Sequence, residues 1–386
     1  MKRKLLLLFF ILTFGDNSFA QIPLLKQWDK RFGAALIENL NSLNTTKDNG
    51  FILGGYSNSL SGGDKSQNTW GGQDYWIVKL DSAGTKEWDK DFGGIGTEVH
   101  NALQQTFDGG YILGGLSNSG ISGDKTQGNW DTICTFGCTY DYWILKTDSI
   151  GNKEWDKRFG GTNFEELYSL QQTSDGGYIL GGISMSGIGG DKSQANWDTT
   201  EYTTDYWVVK TDSLGNKEWD ADFGGTNFDI LTSVIQSVDG GYLIGGFSRS
   251  GISGNKTQAN WDTTENTADF WFVKLDTFGN KQWDKVIGGT SFDMLFSIKQ
   301  TFDNGFILGG LSASPISGDK TQDTIGSSDY WIVKIDLMGN KQWEKVLGGS
   351  YLEDWVGNIS ITSDNGYLMA GTSYSQASGD KSENNM

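Results

Sequence analysis

A Trp-Asp pair, once Trp-Glu, punctuates this chain at Trp28, Trp88, Trp155, Trp219, Trp283 and Trp343, at intervals of 60, 67, 64, 64 and 60 residues. Between the pairs, short apolar runs and Gly-rich turns return in one fixed order. A unit of that length cannot bury its own apolar faces, so it must lean on copies of itself. The period therefore constrains the chain to stacked or radial repetition of a single β unit.

The third repeat shows what the unit contains. EELYSLQQTSDGGYILGGIS holds two strand-like runs around Asp175-Gly176-Gly177, and Asp-Gly supplies the positive φ of a tight hairpin turn. The same turn recurs at Asp108 and Asp239, and as Asp-Asn-Gly at Asp48, Asp303 and Asp364. After a long polar loop, DYWVVKTDSLGNKEWDADFGG gives a second hairpin, with relatives beginning at Asp81, Asp148, Asp276 and Asp336. We name the four strands a to d. Strands b and c are nearly unbroken apolar runs, as expected where both sheet faces are covered. Strand d alternates: Glu154, Asp156 and Arg158 are expected on a solvent-facing side and Trp155 and Phe159 on the other, which suits an outer edge. No helical period occurs outside the first twenty residues.

Four antiparallel strands with buried inner members and a guarded outer one describe a propeller blade. The expected fold is all-β, a β-propeller of four-stranded antiparallel blades, about six of them with the last incomplete. β-Helix coils are far shorter, and WD40 blades have a period near forty with a Gly-His signature. The blocks DYWIVKxDxxGNKxWDKxFGG and QTxDGGYILGGxS resemble the roughly sixty-residue bacterial β-propeller repeats of the delta-60 type. The resemblance covers Gln27 to about Lys381. It implies an exported protein, many such relatives leaving through the type IX pathway, and it names no activity.

Export is also written in residues 1–20. Lys2, Arg3 and Lys4 precede an apolar run from Leu5 to Phe14, and Ser18-Phe19-Ala20 offers a small-x-small cleavage site. That run is too short for a stable membrane span. The expected organisation is a signal peptide at 1–20 and one propeller domain at 21–386. Repeats fall near 34–94, 95–161, 162–225, 226–289, 290–349 and 350–386, with a lone outer strand at 24–33. The expected location is secreted or cell-surface, and the expected state is a monomer. A formal charge of −18 argues against nucleic acid and anionic lipid as partners. Cys134 and Cys138, the only two cysteines, sit in one short loop of an exported chain and are expected to form a local disulfide.

The repeats do not end evenly. Six a–b hairpins stand against five c–d hairpins and one N-terminal d segment, Leu25 to Phe32. Gln27-Trp28-Asp29-Lys30 is suited to pair into the last blade, but strand c of that blade is missing from the pattern. Either the last blade is imperfect or the chain belongs to a longer one, and the second reading is favoured.

Two sets of residues recur on the expected long-loop face. Each d–a link carries one acid: Glu38, Glu98, Glu165, Asp229, Asp293 and Glu353. As a ring around a channel mouth they would suit calcium, the one cofactor the pattern suggests. As structural groups, each would accept backbone N–H bonds and lock neighbouring blades. The b–c loops repeat Asp-Lys-(Ser/Thr)-Gln and add Trp70, Trp130, Trp197 and Trp261, three of them followed by Asp131, Asp198 and Asp262. A loop Trp beside Asp, Asn and Gln suits a sugar ring, although such a Trp also serves to cover a blade top. No catalytic residues are assigned. The only histidine, His100, has no nucleophile beside it in sequence, and Glu166, His100, Arg249, Asp354 and Trp355 are the residues that break the repeat. The expected function is a binding or scaffold module recognising a glycan or extracellular protein through the long-loop face. A glycan hydrolase using the channel-mouth carboxylates and a cell-surface spacer are the alternatives.

Overall fold

The computed structural model describes residues 10–12, 28–131, 139–200 and 202–385. Cys134 and Cys138 lie outside them, and so does the proposed disulfide. The described elements are all strands. Phe10–Leu12 is β1. Blade 1 comprises β2 (Glu38–Thr45), β3 (Phe51–Ser57), β4 (Asp74–Leu80) and β5 (Lys86–Phe92); blade 2 comprises β6 (Glu98–Gln105), β7 (Tyr111–Ser117), β8 (Asp141–Thr147) and β9 (Lys153–Phe159). Blade 3 has β10 (Glu165–Gln172), β11 (Tyr178–Ser184), β12 (Asp205–Thr211) and β13 (Lys217–Phe223). Blade 4 has β14 (Asp229–Gln236), β15 (Tyr242–Ser248), β16 (Asp269–Leu275) and β17 (Lys281–Ile287). Blade 5 has β18 (Asp293–Gln300), β19 (Phe306–Ser312), β20 (Asp329–Ile335) and β21 (Lys341–Leu347), and β22 (Glu353–Ile361) with β23 (Tyr367–Ser373) begins a sixth.

Each of the five full blades is a four-stranded sheet in the order a-b-c-d, and the pairs given in residue register are antiparallel. Blades 1 to 3 belong to one compact unit and blades 4 to 6 to another. Within each unit the apolar core lies between successive blades. Ile52, Tyr75 and Ile77 of blade 1 meet Leu113, Trp143 and Leu145 of blade 2 in one cluster, and Phe270 and Phe272 meet Leu308, Trp331 and Val333 in another.

The turns follow from their residues. In the a–b hairpins Asn49, Asn304 and Asn365 take φ near 65°, and Gly109, Gly176 and Gly240 take 84–89°. Asn and Gly are the residues that enter this region at least cost. The Gly-Gly pair of strand b has a different cause. Each strand a whose register is given carries a bulge, as between His100 and Ala102. The bulge brings its carbonyl so close that a Cβ on Gly115 would lie 2.0 Å from Val99 O. The preceding glycine, Gly114, makes room for the next blade, since a Cβ there would lie 2.4 Å from Leu167 Cδ2.

Two expectations change at the chain's start. The d segment at 24–33 is not a strand over its described part, Trp28–Gly33. Trp28 nevertheless packs as a strand-d Trp should. Its ring meets Phe51 at 5.6 Å and lies against Gly84, as Trp88 meets Tyr111 and lies against Gly151 one blade later. Secondly, β1 pairs antiparallel with β23, Phe10 opposite Met369 and Leu12 opposite Tyr367. That is the strand-c position the repeat pattern left vacant. An apolar leader core and a strand at this position call for the same residue types, and Phe-Ile-Leu at 10–12 meets both.

Candidate functional site

Four acids of the d–a links, Glu98, Glu165, Asp229 and Asp293, are buried and accept hydrogen bonds, and Glu38 is half-buried. Glu98 accepts from Gly94 N at 2.9 Å, Ser117 Oγ at 2.7 Å and Ser119 Oγ at 2.5 Å. Glu165 repeats this with Gly161, Ser184 and Ser186. Asp229 and Asp293 take Gly225 N with Ser250, and Gly289 N with Ser314. Glu38 holds Ser57 and Ser59; the side chain of Glu353 lies outside the description. Burial raises the carboxyls of Glu165 and Asp229 to about 7 and that of Asp293 to about 6. Each carboxylate thus ties a d–a link to the end of its own strand b. Among the described residues no three His, Cys, Asp or Glu side chains converge as a metal would require.

The Asp-Lys-(Ser/Thr)-Gln loops are also joints. Asp124 accepts Gly93 N, Asp191 Gly160 N and Asp319 Gly288 N, all across a blade boundary. The next Lys is buried, Lys125 holding Ser117 Oγ, Ser119 O and Asn129. The following Thr126 donates its N–H to Asp156, and Gln127 Oε1 accepts Arg158 N. Here the reading of strand d needs correction. Asp156 does not face solvent: it is buried and accepts Trp143 Nε1 at 3.0 Å besides Thr126. Asp89, Asp220 and Asp284 do the same for Trp76, Trp207 and Trp271, and Glu344 reaches Trp331 at 3.2 Å. The acid after each strand-d Trp is therefore the acceptor for the buried strand-c indole. The b–c loop covers the outside of the sheet and takes that side of the strand away from water.

The loop tryptophans remain about half exposed. Trp70 is 57% exposed, against 46%, 47% and 50% for Trp130, Trp197 and Trp261. Their indole N–H groups are committed to the next blade where partners are resolved: Trp70 to Asp124 at 3.0 Å, Trp130 to Asp191 and Trp261 to Asp319, both at 2.8 Å. One ring edge rests on the Gly of that blade's turn, Gly123, Gly190 or Gly318. Asp198 and Asp262 accept from their own loops, at Thr200 and Thr264, while Asp131 adjoins undescribed residues. In blades 1, 2 and 4 the expected ligand Trp thus bridges to the next blade through its indole N–H.

Sequence reasoning missed two features of this face. One is a row of aliphatic tips in the b–c loops: Leu60, Ile121, Ile188, Ile252 and Ile316 are 62–74% exposed. Their signal was the recurring SGISGDK pattern. The other is a groove of about 460 Å3 beside Trp70, whose lining includes Gln67, Asn68, Lys90, Asp124 and Asn152. Among the repeat-breaking residues, Glu166 is held by Tyr168 and Asn101, and Arg249 lies 5.5 Å over the Phe292 ring. His100 is wholly buried. The side chains of Asp354 and Trp355 are outside the description.

Sheet order and repetition define a β-propeller repeat protein. No family model matches the chain. The regulatory protein FlaEY of Caulobacter vibrioides is 31% identical over 126 residues, which is 32% of this chain. The chain spans 13% of the length of that curated relative. Solved structures with some likeness include a protein of unknown function from Dyadobacter fermentans (11% identity, 87% of this chain and 95% of that one, TM-score 0.49). Others are the hydrazine synthase of Kuenenia stuttgartiensis (10%, 88% and 76%, TM-score 0.47) and the Pan2 WD40 domain of Neurospora crassa (9%, 88% and 92%, TM-score 0.42). At these scores the likeness adds nothing to what the sheet order establishes.

Proposed function

We propose that this chain is an exported binding module that engages an extracellular partner through its b–c loop face. The observation that carries the reading is the repeated aliphatic tip. Large apolar side chains recurring in water on braced loops are characteristic of interaction surfaces. The locks at Asp124, Asp191 and Asp319 fix those loops to the preceding blade, so little order must be acquired on binding. A mere spacer has no use for five exposed aliphatic groups, and a hydrolase at the d–a acids would find Glu98, Glu165, Asp229 and Asp293 buried. Aliphatic tips favour a protein partner, and the half-exposed indoles leave room for a glycan beside it. The leader pattern and the delta-60-like repeats support export.

The test compares the wild-type chain with the variant Ile121→Ser, Ile188→Ser, Ile252→Ser, Ile316→Ser, against the purified surface proteins of the producing cell. The reading expects wild-type binding that the four substitutions abolish while the fold persists by circular dichroism. Binding that survives them, or none at all, overturns it.

A further inference from the structure

Blade 1 departs from its neighbours at one place on this face. Asn68 stands where blades 2, 3 and 4 have Gly128, Ala195 and Ala259, and Thr69 where they have Asn129, Asn196 and Asn260. Asp91 stands where blade 2 has Arg158, as Asp222 does in blade 3. In blade 2 the Arg158 guanidinium lies 4.6 Å from the centre of the Trp130 ring and pairs with Asp191 at 3.2 Å, so the space beneath that indole is filled. Lys125 there is held by Asn129. In blade 1 Lys65 pairs with Asp91, as Lys192 pairs with Asp222 in blade 3, and both partners are buried. Among the described residues no cation is stacked on the Trp70 ring, and the groove of about 460 Å3, with Lys90 and Lys153 in its lining, stands open beside it.

Three side chains of this groove keep spare donors, beside the carboxylate of Asp124, whose Oδ2 is taken by Trp70 Nε1 and Gly93 N. Gln67 Oε1 accepts Asp91 N at 2.9 Å and Asn68 Oδ1 accepts Ser61 N at 2.8 Å, which leaves both amide NH2 groups as donors. Lys90 Nζ donates to Asn152 Oδ1 at 3.3 Å and retains further protons. Trp70 has spent its N–H on Asp124, so it offers a ring face and no polar atom. An apolar plate rimmed by donors selects an acceptor-rich ligand with a flat C–H face.

We propose that the groove between blades 1 and 2 is a subsite for an acidic saccharide, a pyranose bearing a carboxylate or sulfate. The sugar's C–H face stacks on Trp70, and its anionic group and hydroxyls accept from Lys90, Asn68 and Gln67. The chain's net charge of −18 opposes an anion at long range, but salt screens that field beyond about 8–10 Å while the groove's donors act at contact. The proposal rests on the reading that the b–c loop face is the binding face.

Calorimetric titration of the full chain with trigalacturonate and with a sulfated disaccharide separates the two anion sources, and cellotriose is the neutral control. The double variant Asn68→Gly, Lys90→Ala places residues native to the equivalent positions of blades 2 and 3, Gly128 and Ala221, and so retains the fold. We expect at least one acidic ligand to bind, with affinity falling as salt rises and about tenfold weaker in the double variant. No binding of either acid at about 20 mM, equal binding by the double variant, or equal binding of cellotriose overturns the proposal. The four Ser substitutions at the aliphatic tips are expected to leave saccharide binding intact. A failure of this groove is thereby distinguished from a failure of the partner surface.

Discussion

His100 makes the stability of this protein pH-dependent in a way one substitution removes. The imidazole is wholly buried between blades 1 and 2, edge-on to the Tyr75 ring at 5.4 Å, and neither ring nitrogen is hydrogen-bonded. It fits because residue 54 is glycine: a Cβ there would lie 2.6 Å from His100 Cε1. Burial lowers its pKa from 6.5 to about 3. The folded chain therefore keeps His100 neutral where the unfolded chain protonates it. Between about pH 3 and 6.5 the unfolded state binds the extra proton, so stability falls with pH there and is flat above. Each unit is worth about 1.36 kcal/mol, so pH 4.5 costs about 2.7 kcal/mol relative to pH 8. Leu167, Leu231 and Leu295 occupy the same strand position in blades 3 to 5 and are buried. His100→Leu is thus a native solution of the packing and carries no titrating group. Urea unfolding followed by Trp fluorescence at pH 8, 6.5, 5.5 and 4.5 gives the wild-type and variant curves. The buried carboxyls titrate alike in both, so they cancel in the difference. The variant's advantage should grow by about 2.7 kcal/mol from pH 8 to 4.5. Parallel curves would refute the reasoning.

Asp156→Ala removes the acceptor of Trp143 Nε1 and of Thr126 N and Oγ1, and should cost about 3 kcal/mol in chemical denaturation; a cost under about 0.5 kcal/mol would return strand d to a solvent-facing role. Gly115→Ala should be worse than Gly114→Ala, because its Cβ meets the Val99 carbonyl while that of Gly114 meets the movable Leu167 and Leu170 side chains. We expect the first to fail to fold or lose more than about 3 kcal/mol and the second to lose about 1–3, measured by thermal melting and urea midpoints. Glu98→Gln, disturbing contacts to Gly94, Ser117 and Ser119, should lower stability by about 1–3 kcal/mol. Neither EDTA nor millimolar calcium should move the wild-type melting temperature. A calcium-dependent rise lost in Glu98→Gln would instead make that acid a ligand.

The blade was legible because its causes are local. Asp-Gly and Asp-Asn turns announce their own backbone angles, and runs such as Tyr206-Trp207-Val208-Val209 can be buried only between covered faces. Asp156 was misread because alternation along a strand records which residues share a side, and not what covers that side. Its partners, Trp143 and Thr126, come from strand c and from a loop 30 residues upstream. The acids at 98 and 165 were legible as a set, but their partners were not. Ser117 and Ser184 end the strand-b runs and read there as ordinary turn-flanking polar residues. The same limit governs the site. The four loop tryptophans look alike in sequence, and repetition by itself points to a joint, as the indole N–H bonds of Trp70, Trp130 and Trp261 bear out. What separates Trp70 from Trp130 is residue 91 against residue 158, a substitution one strand further along the chain. Arg158 closes the space beneath its indole, and Asp91, drawn inward by Lys65, leaves it open. Asp222 repeats Asp91 in blade 3, so the departure that singles out the blade 1 groove is Asn68, which stands where blades 2 to 4 have Gly or Ala, and it is there that a ligand can be discriminated.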